Sequence, residues 1–495
     1  MTTTNKTIIS LTICLVALSV ICIKNMPLTI GRYDAKTVKL VGKISRTPVG
    51  LELIGHYFGQ MKYFGTDGVG PFTQLAGSRD ISKVVFAAAG LIFAGLIALV
   101  GSICSLIVFL LNGRDKPEPV VSKKDVFLIL LLIIINGTVI RLCLASACYG
   151  NFDMHSYEMV ADIVSQGGNV YAQTSRYNYS PLWFNVLGAL KKIHLQYPSV
   201  PFHFVVKSFL CGVDLLTLMF LLLIAHREKQ SLIKPAVLFF LNPVSFLLTG
   251  YHGQFENFAI LFVVIGLYLY SKAENSKVLR TALLWIFASF AMTVKHNIFY
   301  ELIICLNAAI KRYRIKLLLF VVSTLVFLAL FAPYWSAGRD GIIRNVFMYS
   351  SGKEVYGICS LFDFEQFKYA FIAGMFLFPL FLKSEDIIEQ CLLGMLFFLA
   401  FTSGFSIQYF VLPVALGALR PSKGSLIYSL AAGLFILGNI DNVYLPGFHL
   451  VRPNAVWLAA MYWFITEIRN TNALSKTIRL LRQRFSAAWP LKRTA

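Results

Sequence analysis

Acidic residues are scarce in this chain. Asp and Glu number 24 among 495 residues, Lys and Arg number 45, and charged residues together make up only 14%. A soluble domain carries about 25% charged and about 45–50% apolar residues. Here the apolar share is 57% and the mean hydropathy is +0.69. The shortage of charge excludes a soluble enzyme, and the surplus of apolar residues excludes a disordered chain. Paired metal-ligand spacing is also missing. The nine cysteines form no CxxC pair and no Cys/His cluster, and Cys104, Cys211 and Cys391 sit inside apolar runs, where Cys behaves as a small hydrophobe. No glycine-rich loop of the phosphate-cradling kind stands out. Apolar and polar residues do not alternate as a membrane β-barrel requires.

What is present instead is a series of unbroken apolar runs. In hydrocarbon every backbone polar group must be satisfied internally, which leaves helices as the spanning element. The expected fold is therefore all-α, a polytopic transmembrane helical bundle. A span needs about 20 apolar residues, and on that measure the chain holds about 12–14 candidates. They begin with Thr7–Ile23, Val84–Leu111 and Val126–Ala147 and continue with Phe204–Ala225, Ala236–Gly250, Phe258–Tyr270 and Thr281–Val294. Ile298–Ile310, Leu317–Ala332, Ala370–Leu382, Ile387–Phe401, Ser406–Leu419, Leu426–Gly438 and Ala455–Thr466 complete the series.

The net charge of +21 would suggest nucleic acid in a soluble protein. In a membrane protein it marks the loops on the cytoplasmic side. Alternating in and out from a cytoplasmic N-terminus places five basic clusters inside: Arg114–Lys124, Arg227–Lys234, Lys272–Arg280, Lys311–Lys316 and Arg420–Lys423. The tail after Glu467 is rich in Lys and Arg and holds no acid. Three regions follow: an extension over residues 1–124 with two spans and a long loop, a main membrane region over 125–468, and a basic cytoplasmic tail over 469–495. Thr7–Ile23 reads as a retained anchor. The composition fits a multi-pass protein and no nucleic-acid partner.

The chemistry-bearing residues gather in the opposite loops, in five clusters. The first runs from Asn151-Phe152-Asp153-Met154-His155 through Asp162 to Arg176-Tyr177-Asn178-Tyr179-Ser180-Pro181. A carboxylate at a membrane exit, beside an imidazole, can take a proton from an alcohol. Apolar spacing from Tyr157 to Ser165 predicts a short amphipathic helix, ended by the Gly167-Gly168-Asn169 turn. In the second cluster Pro243 interrupts an apolar run and Tyr251-His252-Gly253-Gln254-Phe255-Glu256-Asn257 forms a polar turn. The third is Lys295-His296-Asn297, where a cation opposes the inside bias; a pair with Glu301 or an anionic ligand would account for it. The fourth spans Tyr334–Gln366 with Arg339 and Arg344. The fifth is Gln408-Tyr409 with Pro413.

These motifs resemble those of the GT-C glycosyltransferases, polytopic enzymes that use polyprenyl-phosphate sugars. Asp153 soon after a span and the Tyr177-Asn178-Tyr179-Ser180-Pro181-Leu182 run are similar to the first outer loop of that family, with Ser180 where a proline is common. The Tyr251–Asn257 turn is similar to one in the dolichyl-phosphate-glucose glucosyltransferases. Val294-Lys295-His296, and Gln408-Tyr409 with Pro413, resemble later family segments, so the likeness covers residues 125–463. It implies a hexosyltransferase of mannose or glucose type that inverts the anomeric centre, with a polyprenyl-phosphate sugar as donor and a glycan, glycolipid or protein as acceptor. It implies Asp153 as general base, with Asp162 as rival. His252, Lys295, His296 and Arg339 would meet the donor phosphate, and Tyr179, Gln254, Glu256 and Asn257 would shape the sugar or acceptor site. No metal and no cofactor is required. The bacterial inner membrane or the endoplasmic reticulum membrane is the expected location. The alternative reading is a polytopic transporter or lipid-linked sugar flippase, for which Asp214 is the best acid within a span.

Overall fold

The computed structural model describes residues 122–147, 150, 152–273, 275–349, 356–360, 367–382, 384, 386–440, 443–444 and 452–471. The first two expected spans and nearly all of the basic tail lie outside these residues. Among the described residues the chain is helical apart from one two-residue ladder, Asn439–Ile440 against Val443–Tyr444.

The first helix, α1 (Lys123–Ala147), is followed by α2 (Phe152–Ser165), a single turn α3 (Val170–Gln173) and α4 (Pro181–Gln196). The Gly-Gly sequence stops α2 as its chemistry dictates. Gly167 adopts φ +74°, its N–H bonds Val164 O at 3.0 Å, and Gly168 N–H bonds Ile163 O at 2.9 Å, the paired bonds of a Schellman stop. Along its length α2 lies on α4, where Asp162 and Lys191 pair at 2.8 Å.

Next come α5 (Phe202–Arg227) and then a broken helix, α6 (Ile233–Phe240) with α7 (Pro243–His252), bent by 45°. The bend has a local cause. Asn242 is extended and its side chain accepts from Val244 N at 3.0 Å, so it caps α7 with Pro243 in the first helical position. The expected single span Ala236–Gly250 is therefore two half-helices. The chain continues as the hairpin α8 (Glu256–Lys272) and α9 (Lys277–Val294), then α10 (Phe299–Ala309) and α11 (Tyr313–Ala329), and reaches the short α12 (Trp335–Gly341). The last elements are α13 (Phe367–Phe381), α14 (Ile387–Phe401), α15 (Ile407–Leu419), α16 (Lys423–Gly438) and α17 (Pro453–Asn470).

Among the described residues four stretches are long and apolar enough to cross a membrane: Lys123–Ser146, Phe202–Arg227, Lys277–Val294 and Tyr313–Phe347; the bent pair makes a fifth. Several of the apolar runs within these residues form shorter helices. Helices such as α10, at 11 residues, span only about 16 Å at 1.5 Å per residue and fill the bundle between longer neighbours. The bundle has two chemically distinct ends. At one, Arg420 binds Glu228 at 2.8 Å and Asp386 at 2.6 Å, drawing together the α5–α6, α13–α14 and α15–α16 connections. At the other, Ser180 Oγ donates to Thr293 O, Trp457 Nε1 donates to Ala400 O at 2.8 Å, and Asn454 bonds Ser360 at 2.7 Å. The basic loops belong to the first end and Asp153 to the second.

Candidate functional site

The second end of the bundle is built on an aromatic floor. Trp183, in the first turn of α4, stacks on Phe255 with ring centroids 4.2 Å apart and planes 7° from parallel. Tyr157 and Tyr179 meet Phe255 edge-on at 6.1 and 4.9 Å. These rings join α2, the Tyr177–Ser180 loop and the α7–α8 turn into one surface. The turn itself is tight. Gly253 has φ +76°, a backbone conformation that strains any side chain, and a Cβ there would also press on Met154 Cε at 2.3 Å and make that side chain shift.

On this floor sits Asp153, in the first turn of α2 and partly exposed. Gln254 Nε2 donates to its Oδ2 at 2.7 Å, and Tyr157 Oη donates to Gln254 Oε1 at 3.3 Å. The carboxylate is thus aimed by a side chain that is itself held in place. Burial pushes the Tyr157 and Tyr179 phenols upward, and the Asp153 charge adds to both. They stay neutral hydroxyls around it. Tyr349, hydrogen-bonded to Asn178, also feels the Asp153 charge and is raised, chiefly by burial.

Across the Tyr179 ring lies Lys295. It caps the C-terminal end of α9, where the helix gives way to the His296–Ile298 turn. Its ammonium is 4.9 Å from the Tyr179 ring centre and 4.7 Å from that of Phe255, cation–π geometry with both faces. It also forms an ion pair with Glu256 Oε1, both side chains being buried. The countercharge is therefore Glu256 rather than Glu301. Burial pulls Lys295 down to about 7, while the Asp153 carboxylate works in the opposite direction.

The other candidates are placed as follows. His296 is next to Lys295, and burial with the neighbouring ammonium lowers it to about 4. At neutral pH it offers an N–H and no charge. His252 is buried with its Nε2 3.5 Å from Ile436 O, beyond normal hydrogen-bond length; the structure turns it toward α16. Arg339 is exposed on α12, and no contact among the described residues joins it to Asp153 or Lys295. Asn257 donates to Asp214 Oδ1 at 2.6 Å, inside the bundle. Asp162 is engaged by Lys191. So Asp153, Tyr179, Gln254, Glu256 and Lys295 come together, with His296 adjacent, while His252 and Asn257 are engaged elsewhere.

Two buried cations escaped the sequence reading. Lys207, near the start of α5, is fully buried and donates to Tyr251 O at 2.7 Å; it pins the polar turn from beneath. Arg141, near the end of α1, binds Asp214 at 2.7 Å, Ser245 Oγ at 2.8 Å and Phe240 O at 2.7 Å. Both lie within candidate spans, and an ionisable residue in a span is rare enough to be a signal in itself. No protein-family model matches the chain, and neither the curated proteins nor the solved structures contain a match to it.

Proposed function

We propose that the chain is a membrane hexosyltransferase of the GT-C kind, which moves a mannose- or glucose-type sugar from a polyprenyl phosphate to a hydroxyl of a glycan, glycolipid or protein acceptor. The observation that carries this reading is the meeting of Asp153 and Lys295 across Tyr179. A reachable carboxylate and a buried ammonium share one aromatic surface at the end of the bundle away from the basic loops.

In this reading the acceptor hydroxyl approaches the Asp153 carboxylate. Its oxygen forms a bond to the anomeric carbon as its proton passes to Asp153. The bond from the anomeric carbon to the phosphate oxygen breaks, and its electron pair leaves with the polyprenyl phosphate. Attack opposite to the leaving group inverts the anomeric centre. The charge growing on the phosphate is met by the Lys295 ammonium and the His296 N–H, donors fixed in place before the reaction. Glu256 orients the ammonium, and the buried Tyr179, Phe255 and Trp183 rings hold the carboxylate and the ammonium in place from beneath. Gln254 keeps Asp153 in position, a task worth as much as about 10²-fold in rate when a reacting group strays by about 1 Å.

The test is transfer by purified full-length protein supplied with polyprenyl-phosphate mannose or polyprenyl-phosphate glucose and a glycolipid acceptor. Wild type transfers one of the two sugars, and Asp153→Asn, which keeps a side chain able to meet Gln254, does not. Equal turnover in the variant removes Asp153 as base. Flux of a lipid-linked sugar across vesicles without transfer from either donor would replace the enzyme reading with transport.

A further inference from the structure

An open-sided apolar groove of about 310 Å³ runs between α1 and α5 in the half of the bundle away from Asp153. Ile134, Leu218, Met219, Leu222 and Leu232 line it, with His226 as its polar lining residue. Met219 and neighbouring Leu216, Leu131 and Ile135 are exposed along the same flank. Both helices are among those long and apolar enough to span a membrane. An apolar groove open to the side of such helices faces hydrocarbon, and hydrocarbon chains are what fills it.

The end of the bundle that His226 marks is basic: Lys123 and Lys124 begin α1 there, and Lys229 follows the end of α5 three residues after His226. Two acids stand nearby, Asp125 and Glu228. Glu228 is taken up by Arg420, whose Nη1 and Nη2 reach its two oxygens at 2.8 and 3.0 Å. Lys123, Lys124 and Lys229 give this end a charge that suits an anion. Lys229 has φ +55°, a conformation that glycine or asparagine adopts far more readily. Gln230 N–H bonds Ala225 O at 2.8 Å and Lys229 N–H bonds His226 O at 3.1 Å, the pattern of a helix stop in which lysine occupies the glycine position. The chain thus holds a cation at this end of the bundle in a place where glycine would fold more easily.

We infer that this groove binds an anionic glycerophospholipid, with an acyl chain along α1 and α5 and its phosphate at Lys229, near Lys123 and Lys124. Such a site lies in the membrane leaflet opposite to Asp153, so it is separate from any donor lipid at that end. The inference rests on α1 and α5 spanning the membrane and not on the transfer reaction. Basic clusters at the ends of membrane helices attract anionic headgroups, at about one kcal/mol per Lys or Arg, equivalent to about five-fold in binding.

Native mass spectrometry of the detergent-purified full-length protein, titrated with phosphatidylglycerol or with phosphatidylcholine, tests this. Wild type retains phosphatidylglycerol in preference to phosphatidylcholine. Lys229→Gly removes the cation while relieving the backbone, so its thermal midpoint is at or above that of wild type and its phosphatidylglycerol binding about five-fold weaker. Met219→Trp fills the groove from its exposed flank and loses the retained lipid without loss of fold. Equal retention of both lipids by wild type overturns the proposal, as does wild-type affinity in either variant.

Discussion

Arg141 and Asp214 lie 2.7 Å apart with no solvent exposure on either side chain, and between them they hold the broken helix together. Arg141 binds Phe240 O, the last carbonyl of α6, and Ser245 Oγ, in the first turn of α7. Asp214 collects Thr249 at 2.9 Å and Asn257 at 2.6 Å. The bend at Asn242-Pro243 frees the Phe240 carbonyl, and Arg141, held by Asp214, satisfies it. Within a membrane such groups have no water to turn to. Asp214 is thus locked on several sides, which argues against its use as a moving ion site.

Removing one partner leaves the other charge buried and unmatched, at a cost of about 3–5 kcal/mol. Arg141→Leu and Asp214→Leu are each expected to lower the thermal midpoint of the purified protein sharply. The double replacement by leucine is expected to recover much of the loss, because no orphan charge remains. A double variant as unstable as the sum of the singles would show that the pair does not act as a unit.

Gln254 carries a different prediction. Its amide nitrogen positions Asp153 Oδ2 and its oxygen takes the Tyr157 hydroxyl. Gln254→Leu keeps the size and removes both bonds. Turnover with a polyprenyl-phosphate sugar should fall by about ten- to a hundred-fold with KM nearly constant, since the residue aims the base rather than gripping substrate. Steady-state kinetics on the folded variant separates the two parameters; a rise in KM at constant kcat would make Gln254 a binding group instead.

On the proposed reading, transfer depends on the protonation of Lys295. Burial pulls it down to about 7, below the ordinary 10.5. If its cation meets the leaving phosphate, that cation is lost as pH rises through about 7, and transfer falls on the alkaline side. Lys295→Arg, whose guanidinium stays charged throughout, should flatten that limb even where it lowers the maximum. Stability moves the opposite way. Between about 7 and 10.5 the unfolded chain binds more protons at this position than the folded one, so the residue's contribution grows more favourable with rising pH. Thermal unfolding of wild type against Lys295→Met across that range reads the sign.

Local pattern made much of this legible from sequence. The edges of α1, α5 and α9 follow the apolar runs, and the Gly167-Gly168 stop and the Asn242-Pro243 break are written in the residues that make them. Of the candidates in the outer-loop clusters, Asp153, Tyr179, Gln254, Glu256 and Lys295 meet, whereas His252 and Asn257, from the same turn, do not join them. Pairing was not legible. Arg141 and Asp214 are 73 residues apart, and nothing local says that Asn257 belongs to them rather than to the polar turn beside it. Sequence proximity points to Glu301 as a partner for Lys295, and the structure pairs it with Glu256 instead. Partner choice is set by how helices from distant parts of the chain come to lie against one another.

The approach of α12 to α3 gives the last prediction, because there two glycines admit a contact that no other residue could. A Cβ on Gly341 would lie 1.9 Å from Tyr171 O, and one on Gly338 would lie 2.8 Å from Tyr171 Cβ. Tyr171 in turn donates its hydroxyl to Tyr179 O at 2.9 Å, and Tyr179 is the ring that Lys295 faces. Gly341→Ala must push α12 or α3 aside, an overpacking that costs about 1–3 kcal/mol, and the displacement runs through Tyr171 into the site. Gly167→Ala is the control: its φ of +74° makes alanine strained, yet a Cβ there meets nothing within 4 Å. Both variants should lose thermal stability, but only Gly341→Ala should also lose transfer beyond what its reduced folding explains. Equal loss of transfer in the two, per folded molecule, would mean that the α12–α3 contact does not set the position of Tyr179.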